Sequence, residues 1–305
     1  MKYRWGESSA VLGDTNPLEG SVINAMTVDV EDYFQVSAFD PHIPRESWDH
    51  IPRRVELNTN KLLELFGSYN IRATFFTLGW VAERHPGMVR RIVDCGHELA
   101  CHGYGHVRIT QQTPRQFRED VDNAKKLLED ISGYPVIGYR APSYSIGRAT
   151  LWALDILDEL GFKYSSSIYP VKHDLYGMPE APRFCFEPAG TTGLLELPVT
   201  TIRLFGRNFP CGGGGYFRLL PYALSRWAMT RVNSADNQPC IFYFHPWEID
   251  PDQPRQEGIG PKTRFRHYLN LSRMERRLRR LLEDFRWDTV TNVFLGTRNV
   301  SSPGG

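Results

Sequence analysis

Between Ile23 and Phe285 the chain repeatedly changes its hydrophobic period, passing from short β-rich apolar runs to apolar stripes at helical spacing and back. Ile23–Val30, Ala73–Leu78, Glu98–Cys101, Val136–Arg140, Tyr164–Ile168, Leu194–Leu197 and Cys240–Phe244 read as strands, seven or so in all. Helices fall between them. Leu62, Leu65 and Phe66 precede Gly67; Met88, Val89, Ile92 and Val93 follow Pro86; and Leu151, Leu154, Leu157 and Leu160 close at Gly161. The clearest helix begins at Thr113-Pro114, a cap with a first-turn proline, and carries Phe117, Val121, Ala124, Leu128 and Ile131 on one face up to Gly133. Further on, a helix is expected around Leu220, Leu224 and Trp227. A last one has Ser272 and Glu275 as a capping box, with Met274, Leu278, Leu281, Leu282 and Phe285 facing inward. Such alternation builds a parallel α/β sheet, in which functional groups collect at the carboxyl ends of the strands.

A chain of 305 residues with 41% hydrophobic content can bury one large core, and no repeat, low-complexity tract or composition break divides it. The expected organisation is an N-terminal arm over 1–22, one domain over 23–296 and a tail over 297–305. A net charge of +1 gives no footprint for nucleic acid. Cys95, Cys101, Cys185, Cys211 and Cys240 are scattered without a CxxC pair, which reads as reduced thiols in a cytosolic protein. Met1 to Gly20 lacks an apolar h-region, and no run approaches the roughly 18 apolar residues of a membrane span. A soluble, unexported chain is expected.

The chemistry-bearing residues stand at the ends of the expected strands: Asp29, His102, Arg140 and His245. His102 and His106, among glycines that let backbone crowd a ligand, can converge either on a helix face or through a tight loop. Two histidines and one carboxylate leave open positions on a divalent metal, as a catalytic site needs. Their bland reading is a pair of polar loop residues. His97-Glu98 does not extend to HExxH, because the required position is Cys101, so a zincin protease is disfavoured. Asp29, Glu31 and Asp32 cluster at the end of the first strand. Alternation puts Asp29 and Glu31 on one face, whereas a turn after Val30 would bring Asp32 round, so the third ligand stays open between Glu31 and Asp32. Gly212 to Gly215 contains neither GxGxxG nor GK[ST], and reads as a flexible substrate-covering loop or as plain turn chemistry. Arg276, Arg277, Arg279 and Arg280 make a basic run off the apolar stripe, either a solvated face or a contact for an anionic membrane or polymer.

Taken together these segments resemble the polysaccharide deacetylases of carbohydrate esterase family four, the NodB-homology enzymes. The resemblance rests on Thr27-Val28-Asp29-Val30-Glu31-Asp32, on Gly96-His97-Glu98 with His102 to His106, on Arg140-Ala141-Pro142, and on Phe242 to His245, and spans about residues 23 to 250. The DVEDYF stretch, Ile168 to Asp174 and the GGGYFR loop look like the subgroup found in exosortase and exopolysaccharide loci. Two departures stand out: Val30 replaces the second of the family's adjacent aspartates, and the fourth motif survives only as Tyr164-Ser165-Ser166-Ser167, which leaves the acid histidine without an assigned partner.

The resemblance implies a distorted (β/α)7 barrel that hydrolyses N-acetyl groups of an amino-sugar polymer or oligomer. It implies a divalent metal, zinc by preference, on His102, His106 and Glu31 or Asp32. Asp29 would be the base, set by Arg140, and His245 the acid. A backbone N–H near Tyr144 would support the oxyanion, and Tyr144, Pro142, Tyr216 and Trp247 would face the sugar, with Phe217 as a further flat ring. It leaves room for action at the inner face of the membrane, on a lipid-linked substrate. The competing readings are an allantoinase-like amidohydrolase on a small cyclic amide and a catalytically silent carbohydrate-binding protein.

Overall fold

The computed structural model describes residues 22–173 and 177–296; the expected tail and, apart from Val22, the expected arm lie outside the described residues. Among them, eight strands form one sheet whose pairings are all parallel. β1 (Ile23–Val30) lies between β9 (Ile241–Phe244) on one side and β2 (Thr74–Thr77) on the other. The sheet continues through β3 (Glu98–Cys101), β4 (Gly138–Tyr139), β5 (Tyr164–Ser165) and β6 (Leu195–Glu196), while β10 (Arg286–Asp288) pairs with the start of β1. β6 and β9 do not pair with each other among the described residues, so the curled sheet is a distorted (β/α)7 barrel with a seam. At that seam sits the antiparallel hairpin β7 (Thr201–Leu204) and β8 (Arg207–Pro210), which the periodicity of the sequence did not signal.

Alternation along β1 decides what the barrel encloses. Met26, Val28 and Val30 point outward into the main core, shared with Leu62, Phe66, Leu278 and Leu281 of the covering helices. Ala25 points inward, into a small interior cluster with Phe76, Ala100 and Tyr164. The next inward positions are Thr27 and Asp29, and the register sets Asp29 beside Phe76 and Phe76 beside Ala100. An aspartate in a wholly buried strand thus reaches the interior near the strand's carboxyl end, where a partner is required.

The covering helices are α1 (Val55–Ser68), α2 (Gly79–Arg84), α3 (Pro86–Asp94), α4 (Pro114–Ser132), α5 (Trp152–Glu159), α6 (Gly214–Leu219), α7 (Tyr222–Ala235), α8 (Pro261–Tyr268) and α9 (Leu271–Asp284). α4 has its Thr113 cap with a reciprocal Gln116 contact, Pro114 in the first turn and Gly133 left-handed at its end, as its sequence requires. One expectation fails. α9 is entered through Asn270 in a left-handed conformation, so Ser272 is already its second residue and forms no capping box with Glu275. α7 buries Tyr222, Ser225, Ala228, Met229 and Val232, leaving Leu224 and Trp227 about half exposed, because the helix packs on its 222/225/229/232 stripe. Among the described residues no helix is long and apolar enough to cross a membrane, and all five cysteines are unpaired.

Candidate active site

The two histidines are brought together by a loop. His102 leaves the end of β3 with its N–H on the Thr77 carbonyl at 3.1 Å. Gly103 then turns with φ +74°, where a Cβ would stand 2.9 Å from Asp120 Oδ2, the oxygen that accepts the Tyr104 N–H at 2.9 Å. The Gly79 and Trp80 amides hold the Gly103 and Tyr104 carbonyls at 2.9 and 3.0 Å. Arg45 Nε and Nη2 hold the carbonyls of Gly105 and His106 at 2.7 and 3.1 Å. His106 itself is left-handed at φ 53°, a conformation that costs a non-glycine residue about 1–2 kcal/mol and persists because its surroundings over-determine it. His102 Nδ1 lies 2.8 Å from the Arg140 carbonyl, so that nitrogen carries the proton and Nε2 keeps its lone pair. Burial holds His102 neutral, with its pKa lowered to about 4.

Glu31 completes the group. One ligand-type atom from each of Glu31, His102 and His106 lies within 4.8 Å of the others, and all three side chains are buried. Glu31 Oε2 sits 2.8 Å from His106 Nε2 yet receives no aligned hydrogen bond, so a buried carboxylate oxygen faces two ring nitrogens without a satisfied donor. That arrangement suits a cation. Burial raises the Glu31 pKa, but the neighbouring His106 and His245 outweigh it and bring it down to about 2. Asp32 faces elsewhere. Its Oδ2 accepts the N–H groups of Arg54 and Val55 at 2.7 and 3.0 Å, and Oδ1 that of Tyr33 at 2.9 Å, so it closes the start of α1. The chain does turn after Val30, with the Glu31 N–H on the Asp29 carbonyl at 3.0 Å, and the turn spends Asp32 on amides.

Asp29 and Arg140 form a wholly interior pair. Arg140 Nη1 reaches Asp29 Oδ1 at 2.6 Å and Thr27 Oγ1 at 2.8 Å, while Nε and Nη2 bond the Ser166 carbonyl and hydroxyl at 3.2 and 3.1 Å. Its guanidinium lies 4.0 Å over the Phe76 ring. Burial opposes the Arg140 charge, and Asp29 more than restores it. One residue therefore fixes a carboxylate with its side chain and His102 with its carbonyl.

His245 follows β9 and faces the same group, with Nε2 3.5 Å from Glu31 Oε1. Its Nδ1 and backbone N–H both meet Glu248 Oε1, at 2.9 and 3.0 Å. Glu248 Oε2 accepts from Arg218 Nε at 2.6 Å. Burial alone would lower the His245 pKa; Glu31 and Glu248 overcome it and lift it to about 9. Glu248 is itself held below the usual carboxylate range, since Arg218 and His245 outweigh its burial.

Parts of the chain are similar to known proteins. Residues 47–165 match the polysaccharide deacetylase family model, and residues 166–295 match a domain of unknown function, DUF3473. Residues 47–165 are thus similar to the polysaccharide deacetylase family. It is 33% identical over 113 residues to the peptidoglycan deacetylase of Helicobacter pylori, covering 37% of this chain and 38% of that protein. It is 32% identical over 98 residues to the peptidoglycan-N-acetylglucosamine deacetylase of Bacillus cereus, covering 32% of this chain and 36% of that protein. The chain thus spans under two-fifths of the length of these curated relatives. A solved Mycobacterium smegmatis structure, assigned as a polysaccharide deacetylase, shares the fold over 92% of this chain and 91% of its own, with TM-score 0.59 and 19% identity. The deacetylase match itself contains His102, His106 and Arg140; Asp29 and Glu31 precede it, and His245 falls in the region of unknown function.

Several residues take other places than the sequence suggested. Pro142 and Tyr144 are buried, and Tyr144 packs with Tyr169, Val171, Val199 and Tyr243. The Tyr144 N–H is spent on the Ala141 carbonyl at 3.0 Å, so that amide does not face an oxyanion. Trp247 lies flat between His245 and His267, at 5.1 and 4.2 Å, and its Nε1 meets Glu31 Oε1 at 3.4 Å. It also borders a cavity of about 450 Å³. Tyr216 is half-buried and borders a larger cleft, whereas Phe217 is core.

The glycine run is packing, not a cover. A Cβ on Gly212 would stand 2.4 Å from the Ile241 carbonyl, on Gly213 2.6 Å from the Tyr243 ring, and on Gly214 2.3 Å from Glu248 Oε1. Gly213 bridges to Tyr243 in parallel, extending the sheet beside β9. Within the arginine run, Arg277 turns inward to the carbonyls of Phe217, Arg218 and Leu220, at 2.7, 2.9 and 3.0 Å. Glu248 and Arg218 are the functional candidates that sequence reasoning missed. The spacing from His245 to Glu248, one turn with Pro246 between, was the available signal.

Proposed function

We propose that the chain hydrolyses the N-acetyl group of an amino sugar within a poly- or oligosaccharide, in exopolysaccharide assembly. The observation that carries this reading is the meeting, at the carboxyl ends of β1, β3, β4 and β9, of a Glu31–His102–His106 cluster with an Asp29–Arg140 pair and a His245–Glu248 pair. The orphaned Glu31 oxygen and the two imidazoles fit a divalent metal, and this N-and-O donor set favours zinc. Such a metal, when bound, polarises the amide carbonyl and a water molecule.

The chain's own residues supply the proton transfers. Asp29, oriented by Arg140 Nη1, takes a proton from the attacking water as the new C–O bond forms. His245, kept protonated by Glu31 and Glu248, gives its Nε2 proton to the departing nitrogen as the C–N bond breaks, releasing acetate and a free amine. The Glu248 contacts leave Nε2, not Nδ1, as the ring nitrogen available for donation. Action at the inner face of the membrane on a lipid-linked saccharide remains part of the proposal, supported by the likeness of DVEDYF and GGGYFR to exopolysaccharide-locus proteins.

Acetate release from N-acetylglucosamine oligomers, with bound metal measured in parallel, tests the reading. Asp29→Asn is expected to abolish release while retaining metal, and His102→Ala to lose both. Full activity in both variants would sink the assignment.

A further inference from the structure

Along the barrel seam runs a cleft of about 1050 Å³, walled on one side by residues 170–172 and 179–184 and on the other by the β7–β8 hairpin. It adjoins the proposed site: Val171 in its wall packs with Tyr144 and Tyr243, and the Tyr243 ring lies 6.1 Å from that of His245. Rings and cations share its lining. Tyr216 is half-buried, Phe209 is 43% exposed, and the Arg183 guanidinium stacks 4.6 Å over Phe184.

The charge in this cleft is one-sided. Glu180 is neutralised by Arg148 at 2.6 Å, and Arg183 by Asp236 at 2.9 Å. Lys172, Arg203 and Arg207 are exposed and have no acidic partner among the described residues. The whole chain carries a net charge of only +1, so three cations on one concave surface, without an acidic partner among the described residues, are a local excess. A cleft lined by one sign of charge focuses its field on a counter-charge, and aromatic rings offer flat apolar surface to a sugar.

We propose that this cleft binds an anionic part of the saccharide next to the residue that loses its acetyl group, through Lys172, Arg203 and Arg207. The preferred substrate is then an acidic saccharide, bearing carboxylate or phosphate, and not a neutral one. This inference rests on the deacetylase reading for the neighbouring site.

Calorimetric binding to the full chain tests it, with a uronate hexasaccharide and a neutral glucan hexasaccharide as probes. Neither probe carries an acetyl group, so the measurement does not depend on turnover. The uronate oligomer is expected to bind about tenfold tighter, weakening as salt is raised. Arg203→Ser with Arg207→Ser should erase that preference, while Arg273→Ser with Arg276→Ser, on exposed positions of α9, should keep it. Displacement of the uronate oligomer by inorganic pyrophosphate assigns the anion site to phosphate, and lack of displacement assigns it to carboxylate. Equal affinity for both hexasaccharides, or a preference that survives loss of Arg203 and Arg207, overturns the proposal. Absent acetate release with an intact anion preference would instead count against the deacetylase reading alone.

Discussion

Replacing Glu248 by Gln removes one negative charge beside the proposed acid while keeping an oxygen for both of its present donors, the His245 N–H and ring Nδ1. His245 titrates at about 9, above its ordinary 6.5, because Glu31 and Glu248 outweigh the effect of burial. Two unit charges about 4 Å apart attract by about 4 kcal/mol at an effective dielectric constant of 20, or about three pH units. Arg218, at 2.6 Å on the other oxygen of the same carboxylate, cancels much of that. A fall of about one to two units is therefore expected in Glu248→Gln. The acid must be protonated to work, so the basic limb of the kcat/KM profile for acetate release should move down by that amount.

The same shift is a stability effect with a defined sign. A histidine pKa raised from 6.5 to about 9 contributes stability that is complete below the lower value and lost as pH rises through the upper one. The melting-temperature deficit of Glu248→Gln should accordingly be larger near pH 6 than near pH 10. A basic limb that stays in place, in a variant with an unchanged circular dichroism spectrum, would refute the role given to Glu248.

Three further outcomes follow from contacts at the site. Gly214→Ala puts a methyl group 2.3 Å from Glu248 Oε1, so it should cost about 1–3 kcal/mol and lower the same basic limb; a melting temperature and profile equal to wild type would count against this packing. Asp32→Ala should lose about 1–2 kcal/mol by uncapping α1 yet bind metal normally, whereas Glu31→Gln should lose metal; elemental analysis showing the reverse would exchange their roles. Arg140→Met leaves Asp29 buried beside no cation and should destabilise the fold by about 3–5 kcal/mol in urea unfolding, with Arg140→Lys intermediate; wild-type midpoints in both would remove the pair from the argument.

The strand-end positions of Asp29, His102, Arg140 and His245 were legible because a period-2 apolar run ending in a polar residue marks where a parallel strand leaves the sheet. The α4 boundaries were legible for a similar local reason, since Thr113, Pro114 and Gly133 act within a turn of themselves. The α9 start was misread because Ser272 and Glu275 satisfy the same local pattern, while Asn270 is tied to the Arg218 carbonyl 52 residues away, at 2.8 Å. Gly212 to Gly214 looked flexible in one dimension and is immobilised by approach of Ile241, Tyr243 and Glu248 in three.

By itself the sequence determined the alternating strands and helices, the parallel sheet they require, and the gathering of acids, histidines and an arginine at one end of it. Tertiary structure decided which of those groups meet. Glu31 and Asp32 are neighbours with the same chemistry, and only the α1 amides, which claim Asp32, leave Glu31 to the histidines. Likewise only the close passage of Gly214 lets Glu248 reach both His245 and Arg218. Local periodicity records which face of an element is apolar, but the partner of a buried charge is set by distances between segments that the chain order does not contain.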